Sequence, residues 1–306
     1  MRKIFNKKFR LIFLCVLCVA ILITVPIMSA SKSAASTKDK MYVLNLWQID
    51  SFEGGRGSRA SYLQSVANEF SKKGNGYITV TTLTSAAARE NLKSGTIPDL
   101  ISYGAGTFGI ADYIKGSTPY YTWCYGSYCF LTLGENSDFS DISESNTVIN
   151  QGTENNAKVA ALMCGIGGAD FSKPTGAYVS LIKGKYKYLL GTQRDVYRLK
   201  TRGESFSVKP VTEFNDLYQN ISVTSKDTEL CKKAEEFINY LQICGDKVTQ
   251  LGLMVSNKKL YSDEIGELEG LNYQYKLVAP ISEKTKAEID GAISNNNLNL
   301  LKKIFN

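Results

Sequence analysis

The chain has 306 residues, with 36 lysines and arginines against 29 aspartates and glutamates, and no histidine. Five positive charges fall in the first ten residues, so residues 11–306 carry only +2 and give no electrostatic case for a nucleic-acid partner. Without an imidazole, a Ser-His-Asp or Cys-His centre and a His-ligated zinc are excluded, whereas carboxylate-based hydrolysis is not.

The chain opens with Arg2, Lys3, Lys7, Lys8 and Arg10, followed by an unbroken apolar run from Leu11 to Met28 and then small and polar residues. Basic start, apolar middle and small-residue exit form the pattern of a secretory signal peptide. The run is 18 residues long, at the lower edge of what spans a bilayer, so residues 1–30 read as a signal peptide or an N-terminal membrane segment. Residues 31–40 read as a linker. Either way the remainder is expected outside the cytoplasm, secreted or at the cell surface.

"YVLNLW" (Tyr42 to Trp47) alternates apolar and polar residues and predicts a strand, and "EGGRG" a turn. Ser58 then caps a helix carrying Tyr62, Leu63, Val66, Ala67 and Phe70 on one face. "YITVTTL" is a second strand, "SAAARENLKSG" a short helix, and "PDLISYG" a third strand. This β-α-β-α-β order implies a parallel sheet. Next comes the aromatic "TPYYTWCYGSYCFLTL" (Thr118 to Leu133), which reads as one long extended segment. Helical patterns follow at 154–163 and 176–183, then the strands "YKYLLGT" and "LYQNISV". Glu229 to Ile243 is the strongest helix, with Leu230, Ala234, Phe237, Ile238 and Leu241 sharing a face. A terminal helix or tail ends the chain.

Seven cysteines are present. Cys15 and Cys18 lie in the apolar run and read as filler rather than lipid-attachment sites. Five remain, Cys124, Cys129, Cys164, Cys231 and Cys244, an odd number for an exported chain. Cys124 and Cys129 could close a hairpin-sized loop, while the other three read as small buried hydrophobes.

Four blocks carry a resemblance. "LWQIDSFEGGRGSRASYL", "LKSGTIPDLISYG", "YKYLLGTQRDVYRL" and "KKAEEFINYL" occur in that order behind the signal. Together they resemble extracellular solute-binding proteins of ABC importers, of the carbohydrate type, with the second lobe shortened between 133 and 190. The resemblance implies an α/β fold of type II, two periplasmic-binding-protein-like lobes of parallel-rich sheets flanked by helices and joined at a hinge. Lobe one would comprise 41–120 plus 193–243, and lobe two 121–192 plus 244–306. It also implies a monomer that captures a small-molecule ligand, a sugar or oligosaccharide, for the permease subunits of the transporter, with no cofactor, no metal and no catalytic residues.

Gly104 to Gly109 spell G-x-G-x-x-G, but after the third strand and without a helix to follow, since Gly116 and Pro119 break that stretch. A dinucleotide fingerprint belongs on the first strand of its unit and opens a helix. The glycines read instead as letting the backbone approach a ligand, with Gly104 bringing the main chain to the cleft beside Tyr103. A sugar site wants aromatic faces and paired polar groups. Trp47 at the end of the first strand, and Trp123 and Tyr125 at the entry to the second lobe, are the stacking candidates. Glu53 and Arg59 flank the first glycine loop. Arg194 and Asp195 follow the strand returning to the hinge and are the remaining polar candidates. Two other functional classes stay open: a membrane-anchored ligand-sensing ectodomain serving a signalling partner, and an exported carboxylate-based glycosidase.

Overall fold

The structure is a computed structural model that describes residues 41–49, 56–74, 76–114, 119–152, 156–255 and 265–306. The export segment and Glu53 therefore lie outside the described residues. Val43–Asn306 forms one compact unit that holds both sheets apart from Tyr42. Among the described residues, no helix is long and apolar enough to cross a membrane.

Two five-stranded sheets organise the chain. The first is built from β1 (Tyr42–Ile49), β2 (Gly76–Leu83), β3 (Leu100–Gly104), β4 (Tyr120–Tyr125) and β11 (Tyr218–Val223), in the order β2-β1-β3-β11-β4. The second is built from β5 (Tyr128–Leu133), β6 (Thr147–Asn150), β7 (Asp170–Ser172), β8 (Tyr188–Thr192) and β9 (Phe206–Pro210), in the order β7-β6-β8-β5-β9. Both are mixed. In the first, β1 runs parallel to β3, whereas β11 is antiparallel to β3 and β4. In the second, β6 runs parallel to β7 and β8, whereas β5 is antiparallel to β8 and β9.

The helices form where local chemistry favours them. Helix α1 (Arg59–Ser71) starts because the Ser58 side chain accepts from the Ser61 amide at 3.3 Å, and it buries Tyr62, Leu63, Val66 and Ala67. Thr84 caps α2 (Ser85–Lys93) in the same way. The second lobe carries α3 (Ala157–Met163), α4 (Pro174–Ile182) and α5 (Gln193–Arg202). Asp227 caps α6 (Thr228–Ile243), whose buried face holds Ala234, Phe237, Ile238 and Leu241, as the periodicity predicts. A short parallel pair, β10 (Phe214–Asn215) with β12 (Tyr275–Lys276), precedes the terminal helices α7 (Glu283–Ser294) and α8 (Leu298–Ile304).

Sheet membership corrects three expectations. The aromatic stretch is two strands rather than one: β4 pairs with β11 in the first sheet and β5 with β8 and β9 in the second, and the chain crosses between sheets at Gly126–Ser127. Residues 193–202, expected in lobe one, form helix α5, whose Val196, Tyr197 and Leu199 pack into the core of the second sheet. β9 follows it into the second sheet. Finally, the 3₁₀ turn Cys244–Leu251, expected in lobe two, packs on α1 and α6.

The five described cysteines form no disulfide with one another. Cys124 and Cys129 end on different sheets, which removes the hairpin that a short disulfide would close.

Candidate functional site

The crossing between sheets is a braid of buried polar groups. The Gly126 amide donates to the Leu217 carbonyl at 2.7 Å, and the Asn215 side chain donates to the Gly126 carbonyl at 3.0 Å. Gln193, fully buried, accepts from the Ser127 amide at 3.0 Å. A Cβ on Gly126 would sit 2.6 Å from the Gln193 amide group, so only glycine lets the crossing strand pass under this side chain. Next along, buried Asp216 accepts from the Tyr128 hydroxyl at 2.8 Å and from both the backbone and side-chain nitrogens of Asn156, at 2.7 and 2.9 Å.

Burial pushes the Asp216 carboxyl up to about 6 against the pull of those donors. A carboxyl with a higher pKa folded than unfolded holds a proton that the unfolded chain has released. Stability from this group is therefore complete below about pH 4 and lost as pH rises towards 6, by about 3 kcal/mol. Relative to Asp216→Asn, the wild type should gain stability as pH falls from 6 to 4. Urea unfolding at several pH values checks this, and parallel curves for the two proteins would refute it.

Most of the expected ligand-binding residues lie elsewhere than in a cleft. Trp47 is 8% exposed and packs among Ile49, Ile101, Tyr103 and Phe108. Tyr103 is fully buried in the same cluster, with its hydroxyl 3.1 Å from Ser222 Oγ. The Trp123 ring stacks on Tyr62 at 5.8 Å and its indole N–H donates to Ser102 at 3.1 Å, so both its apolar face and its polar edge are occupied. Tyr125 stacks on Tyr218 at the crossing. Arg59 is buried and donates to Gln219 at 3.2 Å.

The glycine motif also serves packing. Gly104 pairs with Gln219 in the ladder, its carbonyl accepts from Thr107, and residues 104–110 are buried. At Gly109 a Cβ would fall 2.2 Å from the Glu283 backbone nitrogen, so the glycine admits the start of α7. Glu283 in turn accepts from Arg89 at 2.6 Å and from Tyr113 at 2.9 Å.

Arg194 and Asp195 do sit together, in the first turn of α5. Thr192 and Asp195 form a capping box there. Asp195 is fully buried, accepting from Asn150 at 2.7 Å and from Arg198 at 3.1 Å. Its carboxyl folds back onto the strand end because Gly191 is there: a Cβ at that position would meet Asp195 Oδ2 at 2.5 Å. Burial raises the Asp195 pKa while Asn150 and Arg198 oppose the rise. Asp195 is thus a scaffold for α5, and Arg194 is the expected residue that faces open space.

That space is a cavity of about 440 Å³ between the lobes, within the size of small-molecule sites. Arg56 and Gly57, just before α1, form one wall, with Tyr178 of α4 and Arg194, Tyr197, Arg198 and Arg202 of α5 opposite. The lobes meet along this line: the Arg56 guanidinium lies 4.2 Å from the centre of the Tyr197 ring, while its amide donates to the Leu251 carbonyl of the turn packed on α1 and α6. Arg198 and Arg202 both lie over the Tyr178 ring, at 5.6 and 5.4 Å. Without a helix expected over 193–202, the signal for this wall goes unread. Arginines at 194, 198 and 202 recur every four residues, which on a helix is one face. A larger cavity of about 580 Å³, lined by Glu135, Lys200, Phe206 and Glu267 among others, touches only the second lobe. Among the described residues, no group of three or more Cys, Asp or Glu side chains could hold a metal ion.

No family model and no curated protein matches the sequence. Solved structures do match the fold. Iron-bound HitA from Pseudomonas aeruginosa aligns with a TM-score of 0.55 at 11% identity, over 84% of this chain and 99% of that one. The GacH receptor of Streptomyces glaucescens, solved unliganded and with acarbose, aligns at 0.54 and 10% identity, over 87% and 99%. A two-component system protein that mediates signal transduction aligns at 0.51 and 14% identity, over 80% and 95%. The chain has the two-lobe fold of type II periplasmic binding proteins.

Proposed function

We propose that the chain is an extracytoplasmic solute-binding protein that captures a small solute between its lobes and passes it to the permease subunits of an ABC transporter. The cavity bounded on one side by Arg56–Gly57 and on the other by α4 and α5 carries this reading, because a site that draws on both lobes can be sensed by their relative closure. The likeness to iron-bound HitA and to the GacH receptor solved with acarbose supports it at the level of fold. Residues 1–30 supply the export signal or anchor in this reading, and the mature chain acts as a monomer.

A sugar ligand has lost its main physical support, since Trp47, Tyr103 and Trp123 spend their ring faces on the core. Hydrolysis of glycosides gains none at the cavity between the lobes, whose described walls hold no acidic side chain. The sensing ectodomain is the second reading, favoured by the likeness to the two-component system protein.

A thermal-unfolding screen of the purified chain against sugars, amino acids and oxyanions tests solute capture. A ligand that binds only the native state at 100 times its Kd stabilises by about 2.7 kcal/mol, and the unfolding midpoint should rise by several degrees for one class. A flat response across all classes would remove solute capture.

A further inference from the structure

We infer that the cavity between the lobes takes a small, multiply charged oxyanion, a polycarboxylate or a phosphorylated compound. This rests on the solute-binding reading above and narrows it to a ligand class.

The composition of the walls carries the inference. The chain has eight arginines and 28 lysines, yet four of the arginines line this one cavity and no lysine is among its described walls. The region beyond residue 10 is close to neutral, so this cationic concentration is local. Lysine supplies a hydrated point charge. Arginine supplies a planar fork matched to the two oxygens of a carboxylate or phosphate. Choosing arginine four times therefore favours oriented oxyanion recognition over general positive charge. No acidic side chain is among the described walls. Asp195, beside Arg194 in the first turn of α5, lies in its own buried cage and engages Arg198. That pairing holds Arg198 in place on α5, in the same wall as Arg194 and Arg202.

A second observation is independent of charge. Tyr178, 4% exposed and part of the cavity wall, has a buried hydroxyl with no hydrogen-bond partner among the described residues. Leaving such a group unsatisfied is destabilising. As a donor, this hydroxyl matches an acceptor oxygen of a bound anion. Tyr197 and Tyr178 also spread their ring faces under Arg56, Arg198 and Arg202, which holds the guanidinium planes before ligand arrives.

The test uses calorimetric titration of the intact chain with citrate, inorganic phosphate and maltose. The expected result is binding of citrate, weakened several-fold when salt rises from about 50 to 500 mM, because charge pairs at a partly open site are screened. In Arg194→Gln/Arg202→Gln, citrate affinity should fall at least tenfold, with phosphate following the same order. Both side chains are partly or fully exposed, so the variant should fold, and its unliganded melting curve checks this. Should it not fold, Arg194→Lys/Arg202→Lys retains the charge and should still lose several-fold by losing the fork. Binding of maltose but of neither anion would overturn the oxyanion class and leave solute capture standing. Anion binding untouched by both pairs of substitutions would overturn the assignment to this cavity. If none of the three probes binds, the oxyanion inference is overturned, and the broader screen then decides solute capture separately.

Discussion

Trp47→Ala should cost about 3–5 kcal/mol of folding stability and leave the affinity of the folded fraction for its solute unchanged. The side chain is 8% exposed and is surrounded by Ile49, Ala88, Ile101, Tyr103 and Phe108, so truncation leaves a cavity that relaxed neighbours only partly fill. Against a typical total of about 5–15 kcal/mol, this is a large share, and the thermal midpoint should drop by roughly 10 °C. Position at the end of the first strand suggests a cleft residue, and burial explains why it is not. β1 lies between β2 and β3, and the last four residues of β1 are all buried. A strand covered on both faces offers no solvent side to point an aromatic into. Urea unfolding together with a titration distinguishes the roles. An unchanged urea midpoint with a thirtyfold loss of affinity would return Trp47 to the ligand.

A loss of similar size is expected for Asp195→Ala. Its carboxylate is fully buried and is the shared acceptor for Asn150, the Thr192 amide and Arg198. Removing it orphans buried donors at the point where β8 turns into α5 and takes away the partner of a cation that is itself largely buried. Breaking a buried pair by deleting one member typically costs about 3–5 kcal/mol. Asp195→Asn, which keeps the shape and one acceptor, should cost less. Because α5 carries Arg194, Arg198 and Arg202, the alanine variant should also weaken binding, but through a disordered helix start rather than a lost ligand contact. The distinguishing measurement is amide hydrogen exchange across residues 193–199. Exchange there should accelerate in Asp195→Ala, and protection equal to the wild type would contradict the scaffold role.

How much of this was legible in the sequence differs by element. Ser58, Thr84 and Asp227 each stand directly before a helix, and the apolar face of 229–243 follows the helical period, so these elements could be read from local chemistry. The crossing at Gly126 could not. "TWCYGSYCF" is aromatic and extended throughout, and nothing in it marks where pairing passes from one sheet to the other. The decision rests on Gln193 and Leu217, which are distant in sequence.

The candidate site was half legible. Arg194 is among the expected residues, but Thr192-x-x-Asp195 is a capping signal for a helix over 193–202, and without that helix Arg198 and Arg202 do not join it on one face. Tyr178 and Arg56 could be joined to them only by the fold, since they come from α4 and from the far lobe.

The central claim, that a small solute is held intact between the lobes, is tested most directly by native mass spectrometry of the intact protein with citrate, phosphate, amino acids and sugars offered in turn. The account predicts a one-to-one complex with one class of solute, and release of that solute unchanged in mass when the protein is denatured. Bare protein with every class, or steady conversion of the offered solute to a product, would contradict it.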